Sequence, residues 1–329
     1  MRARSFAIPI VLILFLAVFV FTAIACSPIE ARFLGYLGLA ATPVPPTPLP
    51  TATPRPSPTP LPPTATPTPN PDTPPTVDAQ AVYLSDMDSG RVLDSMHATT
   101  PLPMASTTKI MTAVVAIQSG NLDQVVTIHQ DAFDRVNVDG GSSAQLVVGD
   151  QLTLRTLLYG LLIPSGADAA VAIADAVAGS PQAFVRRMNA EAARLHLSHT
   201  HFSTVDGLTA LSLEHYTSAA DFTRLARYAM TYSLFAQIVK LQAYTVPPTL
   251  AHHPYNWLTT NKLLATYPGM IGIKTGSTDQ AGWCLVFAAV QNGHRLIGTI
   301  LGSPGSDQRD QDVTILLNWA FEYEARHHL

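Results

Sequence analysis

Cysteine is almost absent from this chain: 329 residues contain two, Cys26 and Cys284. One closes an apolar leader and the other lies in an apolar strand-like run, which argues against an intramolecular disulfide and makes Cys284 a small packing hydrophobe. Excess basic charge is missing as well. The net charge is −4 and no basic stripe appears downstream of the leader, which argues against nucleic acid as a partner. Metal-ligand spacing is also lacking. Of the eleven histidines, His199 and His201, His252 and His253, and His327 and His328 form close pairs, but none has a second ligand cluster in a zinc pattern. They read as surface or loop residues, and there is no internal repeat.

Charge is absent from Phe6 to Ala25, an apolar run preceded by Arg2 and Arg4. The run exceeds a usual signal core and approaches the length a bilayer needs. Its end, Ala23-Ile24-Ala25-Cys26, permits three readings: cleavage after Ala25, cleavage with acylation of Cys26, or an uncleaved membrane anchor. In each, the arginines stay cytoplasmic and the rest is exported. Proline, by contrast, is abundant, and the 27 prolines concentrate between Pro43 and Pro75. Thr and Pro alternate there with hardly any charge, so the stretch cannot bury apolar surface and should run as extended polyproline II. At roughly 3.1 Å per residue it could hold a domain on the order of 100 Å from its attachment. Its threonines are also candidates for O-glycosylation. The expected organisation is a signal or anchor segment at 1–26, a disordered linker at 27–77 and one domain at 78–329.

Within that domain, Ala81 to Leu84 and Arg91 to Leu93 read as strands around a turn at Asp88, Ser89 and Gly90. Helices are expected from Ser106 to Gln118, Leu152 to Leu162, Asp168 to Ala178, Pro181 to Leu195 with Ser180 as cap, and from a cap at Thr217 or Ser218 to Met230. The C-terminal third changes period. Ile271 to Thr275, Trp283 to Val290 and Arg295 to Leu301 are strand-like, and Asn292-Gly293 marks a hairpin between the last two. A final amphipathic helix is expected from Val313 to Tyr323. Strands at both ends with helices between imply an α+β domain whose terminal strands meet in one antiparallel sheet.

Three short motifs carry chemistry: Ser106-Thr107-Thr108-Lys109, Ser165-Gly166-Ala167 and Lys274-Thr275-Gly276. A hydroxyl is a poor nucleophile until a base takes its proton, and a spacing of three on a helix puts Lys109 within reach of Ser106. Burial, with the nearby charge of Lys274, would depress the Lys109 pKa so that the amine can act as that base. A helix N-terminus at Ser106 favours developing negative charge. Ser165 would relay protons between Lys109 and the leaving group. Lys274 and Thr275, on a strand edge, would bind a substrate carboxylate, and the backbone N–H groups of Ser277 and Ser106 would form an oxyanion hole. The edge itself can pair with a substrate backbone.

From about Ala81 onward the chain resembles the D-alanyl-D-alanine carboxypeptidase family of low-molecular-mass penicillin-binding proteins. The resemblance extends over Met104 to Thr112, Leu162 to Gly166, Thr200-His201-Phe202 with Asp206-Gly207-Leu208, Gly272 to Gly276 with Ala281-Gly282-Trp283, and Arg295-Leu296-Ile297 with Leu301-Gly302. Asn261, in Thr260 to Leu264, falls in a further block and reads as structural support. The resemblance implies an antiparallel sheet flanked by helices with a helical subdomain, as in the β-lactamase and penicillin-binding-protein transpeptidase fold. It implies attack of Ser106 on the amide between the last two D-alanines of a peptidoglycan stem peptide, with β-lactams as acylating inhibitors and no metal or organic cofactor. Arg309 stands where a family arginine helps hold the terminal carboxylate.

The family's second motif ends in Asn, and here Ala167 replaces it. Losing such hydrogen bonds costs ~1 to 3 kcal/mol, so slower acylation is expected. Many relatives also carry a C-terminal β-rich domain and an amphipathic anchor, which leaves anchoring to the N-terminal segment here. The alternatives are a serine β-lactamase, for which Glu191 and Glu214 lack the required setting, a D,D-endopeptidase using the same residues, and a non-catalytic wall- or penicillin-binding module. Asp206, in a Gly-containing loop, reads as structural before catalytic.

Overall fold

Strand alternation builds the centre of the molecule by sending side chains into two separate cores. The computed structural model describes residues 70–209 and 214–328. In chain order these form β1 (Ala81–Asp86), β2 (Val92–Met96), α1 (Lys109–Gln118), β3 (Val125–Thr127), α2 (Gln130–Asn137), β4 (Gln151–Thr153), α3 (Leu154–Leu162), α4 (Ala167–Ala178), α5 (Pro181–Arg194), α6 (Ala219–Ala229), α7 (Ser233–Val239), β5 (Ala243–Val246), β6 (Tyr255–Leu258), α8 (Leu263–Thr266), β7 (Met270–Thr278), β8 (Gly282–Gln291), β9 (His294–Ser303) and α9 (Ser306–His327). The main sheet is antiparallel in the order β2-β1-β9-β8-β7. The N-terminal hairpin therefore meets the C-terminal strands, and β7 is an edge, both as expected.

Along β8 and β9 the period of two divides the residues between faces. Leu285, Phe287, Leu296 and Ile300 pack on Val313, Leu316 and Leu317 of α9. Val286, Ala288 and Ile297 face the opposite core, which also holds Ile110 and Met111 of α1 and Leu157, Leu158 and Ile173 of α3 and α4. Each fully buried Leu, Ile or Phe contributes ~1.5–3 kcal/mol. Helix α1 buries every residue from Lys109 to Ala116, and α4 every residue from Ala167 to Ala174. These two helices thus run through the core, with the first and second motifs at their N-terminal ends.

Local signals set many of the boundaries. Ser180 and Ser218 accept from Ala183 N and Asp221 N, each at 3.2 Å, as helix caps. Asn292 and Gly293 take φ of 51° and 88° between β8 and β9, the two positive values that a two-residue hairpin turn requires. Three helix starts differ most from expectation. Residues Ala105–Thr108 form a tight 3₁₀ turn ahead of α1. Helix α3 starts at Leu154 because Gln151–Thr153 pairs with β3 and Thr153 caps the helix by accepting from Thr156 N at 3.1 Å. Helix α9 starts at Ser306, since its first turns bury Arg309 and Asp312, which a search for apolar periodicity passes over.

Residues ahead of Asp78 already dock on the domain. Trp319 Nε1 and Arg326 Nη2 donate to Pro71 O at 3.0 and 2.6 Å, and Asp78 N donates to Asp312 Oδ2 at 3.2 Å. The signal or anchor segment, Cys26 and most of the linker lie outside the described residues.

Candidate active site

The 3₁₀ turn at Ala105–Thr108 lies against the edge strand β7. A Cβ placed on Gly276 would come within 2.9 Å of Met104 O and 3.1 Å of Ser106 N, so only glycine lets the strand approach the turn this closely. Gly207 does the same from the other side: its φ is +88°, and a Cβ there would lie 1.9 Å from Ala105 O. The third wall is the turn into α4, where Ser165 has φ 70° and Ser142 Oγ donates to Ser165 O. Asp168, in the first turn of α4, fastens that wall by accepting from Ala144 N and Leu146 N at 2.9 and 3.2 Å.

Together these walls enclose a cleft of about 570 Å³, lined among others by Ser106, Lys109, Ser165, Thr275, Ser277 and Arg309. Lys109 Nζ lies 3.0 Å from Ser106 Oγ and donates to Asp206 O, also at 3.0 Å. Burial lowers the Lys109 pKa from 10.5 to about 8; Asp206 and then Asp168 oppose the shift, and Arg135 adds to it. An amine with that pKa is partly neutral near pH 7 and can accept the hydroxyl proton.

Lys274 is buried as completely as Lys109, each 1% exposed. Strand alternation puts it on the same side of β7 as Gly276, against the Ser106 turn, and its Nζ donates to Thr275 O at 3.0 Å. It is set behind the cleft surface, so Thr275, Gly276, Ser277 and Arg309 form that part of the wall. Burial, then Lys109, then Arg309 push its pKa well below the ordinary lysine value. The repulsion expected between the lysines thus falls chiefly on Lys274, while burial accounts for most of the shift at Lys109.

Arg309 is also nearly buried, 3% exposed. Its Nε and Nη2 donate to Asp310 at 2.9 and 2.6 Å, and its guanidinium lies 6.0 Å from the Trp283 ring centre. Thr275 Oγ1 is 2.5 Å from Thr260 Oγ1. Asn261 is buried with Nδ2 unpaired, while its Oδ1 accepts from Leu263 N at 3.1 Å. That bond tethers the start of α8, the supporting place read for it from sequence.

Sequence reading missed Arg135, on the mostly exposed helix α2. Its Nε and Nη2 grip the Asp206 carboxylate at 2.8 and 2.7 Å, and Nη2 also donates to Leu208 O at 2.7 Å. The partners are 71 residues apart, and no local pattern announces such a pair. Asp206, 1% exposed, is held below the usual carboxylate range by Arg135 and Lys109 against the effect of burial.

A Ser-x-x-Lys turn at the foot of a buried helix, beside a Lys-Thr-Gly edge strand on an antiparallel sheet, defines a serine acyl-transferase of the penicillin-recognising class. A family model described as D-alanyl-D-alanine carboxypeptidase matches residues 68–305, and the chain belongs to that family. The D-alanyl-D-alanine carboxypeptidase of a Streptomyces species is 41% identical over 261 residues, covering 76% of this chain and 89% of that protein. DacF of Bacillus subtilis and DacC of Escherichia coli, described by the same activity, are 34% and 36% identical over 77% and 76% of this chain. The chain spans 64% and 62% of their lengths, slightly under two-thirds. Among solved structures, the Streptomyces DD-transpeptidase superposes with a TM-score of 0.73 at 40% identity, covering 76% of this chain and 99% of that one. A D-alanyl-D-alanine carboxypeptidase from Mycobacterium tuberculosis gives 0.67 at 31% identity, covering 76% and 93%.

Proposed function

We propose that this chain is a serine-type D-alanyl-D-alanine carboxypeptidase that removes the terminal D-alanine of peptidoglycan stem peptides through an acyl-enzyme on Ser106. The observation that carries the reading is the 3.0 Å contact between Ser106 Oγ and a buried, pKa-depressed Lys109 amine. Neutral Lys109 takes the Ser106 proton as Oγ attacks the carbonyl of the penultimate residue. The N–H groups of Ser106 and Ser277 hold the oxyanion. As the C–N bond breaks, the Lys109 proton passes by way of Ser165 to the departing D-alanine amine. Lys109, neutral again, takes a proton from the water that frees the acyl group and returns it to Ser106 Oγ. Thr275, Ser277 and Arg309 receive the terminal carboxylate, with Gly276 keeping the strand close and Lys274 buried behind them. A β-lactam acylates Ser106 by the same first step.

A β-lactamase reading has less support. Among the described residues, Asp206 is the one carboxylic acid lining the cleft, and Arg135 already occupies it. Transfer of the acyl group to an amine instead of water is a second reading, favoured by the likeness to the Streptomyces DD-transpeptidase.

Labelling with a fluorescent penicillin that disappears in Ser106→Ala, together with D-alanine release from a pentapeptide, is the expected result. Wild-type protein that never labels overturns the proposal, and an added amine appearing in the product selects transfer. The domain acts outside the cytoplasm, tethered by the 1–26 segment or an acylated Cys26. Cys26→Ala releases the protein from membranes if the lipid is the tether and leaves it bound if the helix is.

A further inference from the structure

We propose that His215 and Thr108 are positioning residues for this reaction: a hydrogen-bond relay runs from His215 through Thr108 to the carbonyl of Ala105, and so aims the backbone N–H of Ser106. The inference rests on the acyl-enzyme reading above and adds two residues to it. His215 is 3% exposed. Its Nδ1 lies 2.9 Å from Ser203 N, and because a backbone N–H can only donate, Nδ1 must accept. Burial lowers the His215 pKa to about 4, so the ring is neutral at physiological pH and carries its proton on Nε2.

Nε2 is 2.8 Å from Thr108 Oγ1, and Thr108 Oγ1 in turn donates to Ala105 O at 2.7 Å. The direction of every proton in the chain is therefore determined. Ala105 needs such restraint, because its φ of 47° lies in a region that residues with a Cβ adopt only under constraint. Gly207 presses on the same carbonyl, where a Cβ would come within 1.9 Å of Ala105 O and 2.7 Å of Thr108 Oγ1.

The peptide group is planar and trans, so the Ala105 C=O and the Ser106 N–H point in opposite directions from one rigid plate. Holding the carbonyl therefore holds the N–H that faces the developing oxyanion. Releasing it lets the plate rock, which weakens transition-state stabilisation while leaving the cleft that first receives the ligand unchanged.

The test separates the acylation rate constant of a fluorescent penicillin from its initial non-covalent dissociation constant, with melting temperature measured alongside. Deleting a whole oxyanion donor costs about 10²–10³ in rate, so mis-aiming one is expected to slow acylation by roughly 10- to 100-fold in Thr108→Val. The initial dissociation constant is expected to stay within about twofold. Thr108→Ser, which keeps the hydroxyl, restores most of the rate. His215→Gln keeps a donor and outperforms His215→Leu, and the double variant Thr108→Val with His215→Leu is no slower than Thr108→Val alone, since both break one relay. Variants that melt lower yet acylate at the wild-type rate when folded overturn the relay, as does Thr108→Ser as slow as Thr108→Val. Either result, with wild type still labelling on Ser106, leaves the proposed function standing; wild type that never labels removes both.

Discussion

Arg135 offers the sharpest test of how the Lys109 amine is tuned. In the native site its guanidinium neutralises a buried carboxylate whose own backbone carbonyl accepts from Lys109. Arg135→Gln keeps a polar side chain but removes the charge, leaving Asp206 unbalanced beside the amine. A nearby uncompensated carboxylate raises an amine pKa by about 1–3 units. Continued burial of Lys109 opposes the rise, so a shift of about one unit is expected. The sign follows from the base being the neutral form: the rate climbs with pH through the Lys109 pKa, so raising that pKa moves the climb to higher pH. With a pKa of about 8, about one amine in eleven is neutral at pH 7, and near 9 about one in a hundred. Penicillin acylation at pH 7 should therefore fall about tenfold, with most of the rate recovered at pH 10. Arg135→Lys, which retains the charge, should keep the acid limb near its native position. The assay is the pH profile of the acylation rate constant by stopped-flow fluorescence. An unshifted limb with a uniformly lower plateau would refute the charge argument, showing that Asp206 takes up a proton instead.

Other substitutions probe the remaining walls. Ala167→Asn restores the amide typical of the family and should speed penicillin acylation by about 10-fold or more; an unchanged or slower rate would mean that the neighbouring Gly141 backbone, where a Cβ would lie 2.7 Å from Ala167 Cβ, has taken the space. Arg309→Gln removes a charged hydrogen-bond donor from the cleft and should raise KM for a D-alanine-terminated peptide by about 10- to 100-fold with a smaller effect on kcat. An unchanged KM would place the carboxylate elsewhere. Gly207→Ala combines a positive φ with a clash against Ala105 O, and should cost ~2–4 kcal/mol in urea unfolding and slow acylation as well. Retained stability would show that the loop can move aside.

How much was legible in the chain depended on the range of the interaction. The first motif could be read because residues three apart share a helix face, and Lys109 does lie over Ser106. Caps at Ser180 and Ser218 and the Asn292-Gly293 turn were equally local, needing only neighbouring backbone to satisfy. That strands from both ends of the domain share one antiparallel sheet followed from their short apolar runs, whereas the order within it came from the structure. Short elements such as α2 and β3 to β6 escaped, because segments that are mostly exposed or only a few residues long carry too little periodicity to stand out.

The chain by itself determined which chemistry is available: a hydroxyl with a lysine one helical turn away, a second lysine on an edge strand, and glycines where backbones must touch. Only the tertiary structure decided how that chemistry is tuned. It set Lys274 behind the cleft, paired Arg135 with Asp206, buried Arg309 beside Trp283 and brought His215 to Thr108. Each of these depends on segments distant in sequence meeting in a water-excluded interior, where a charge or proton is worth several times its value in solvent, and local spacing carries no record of that.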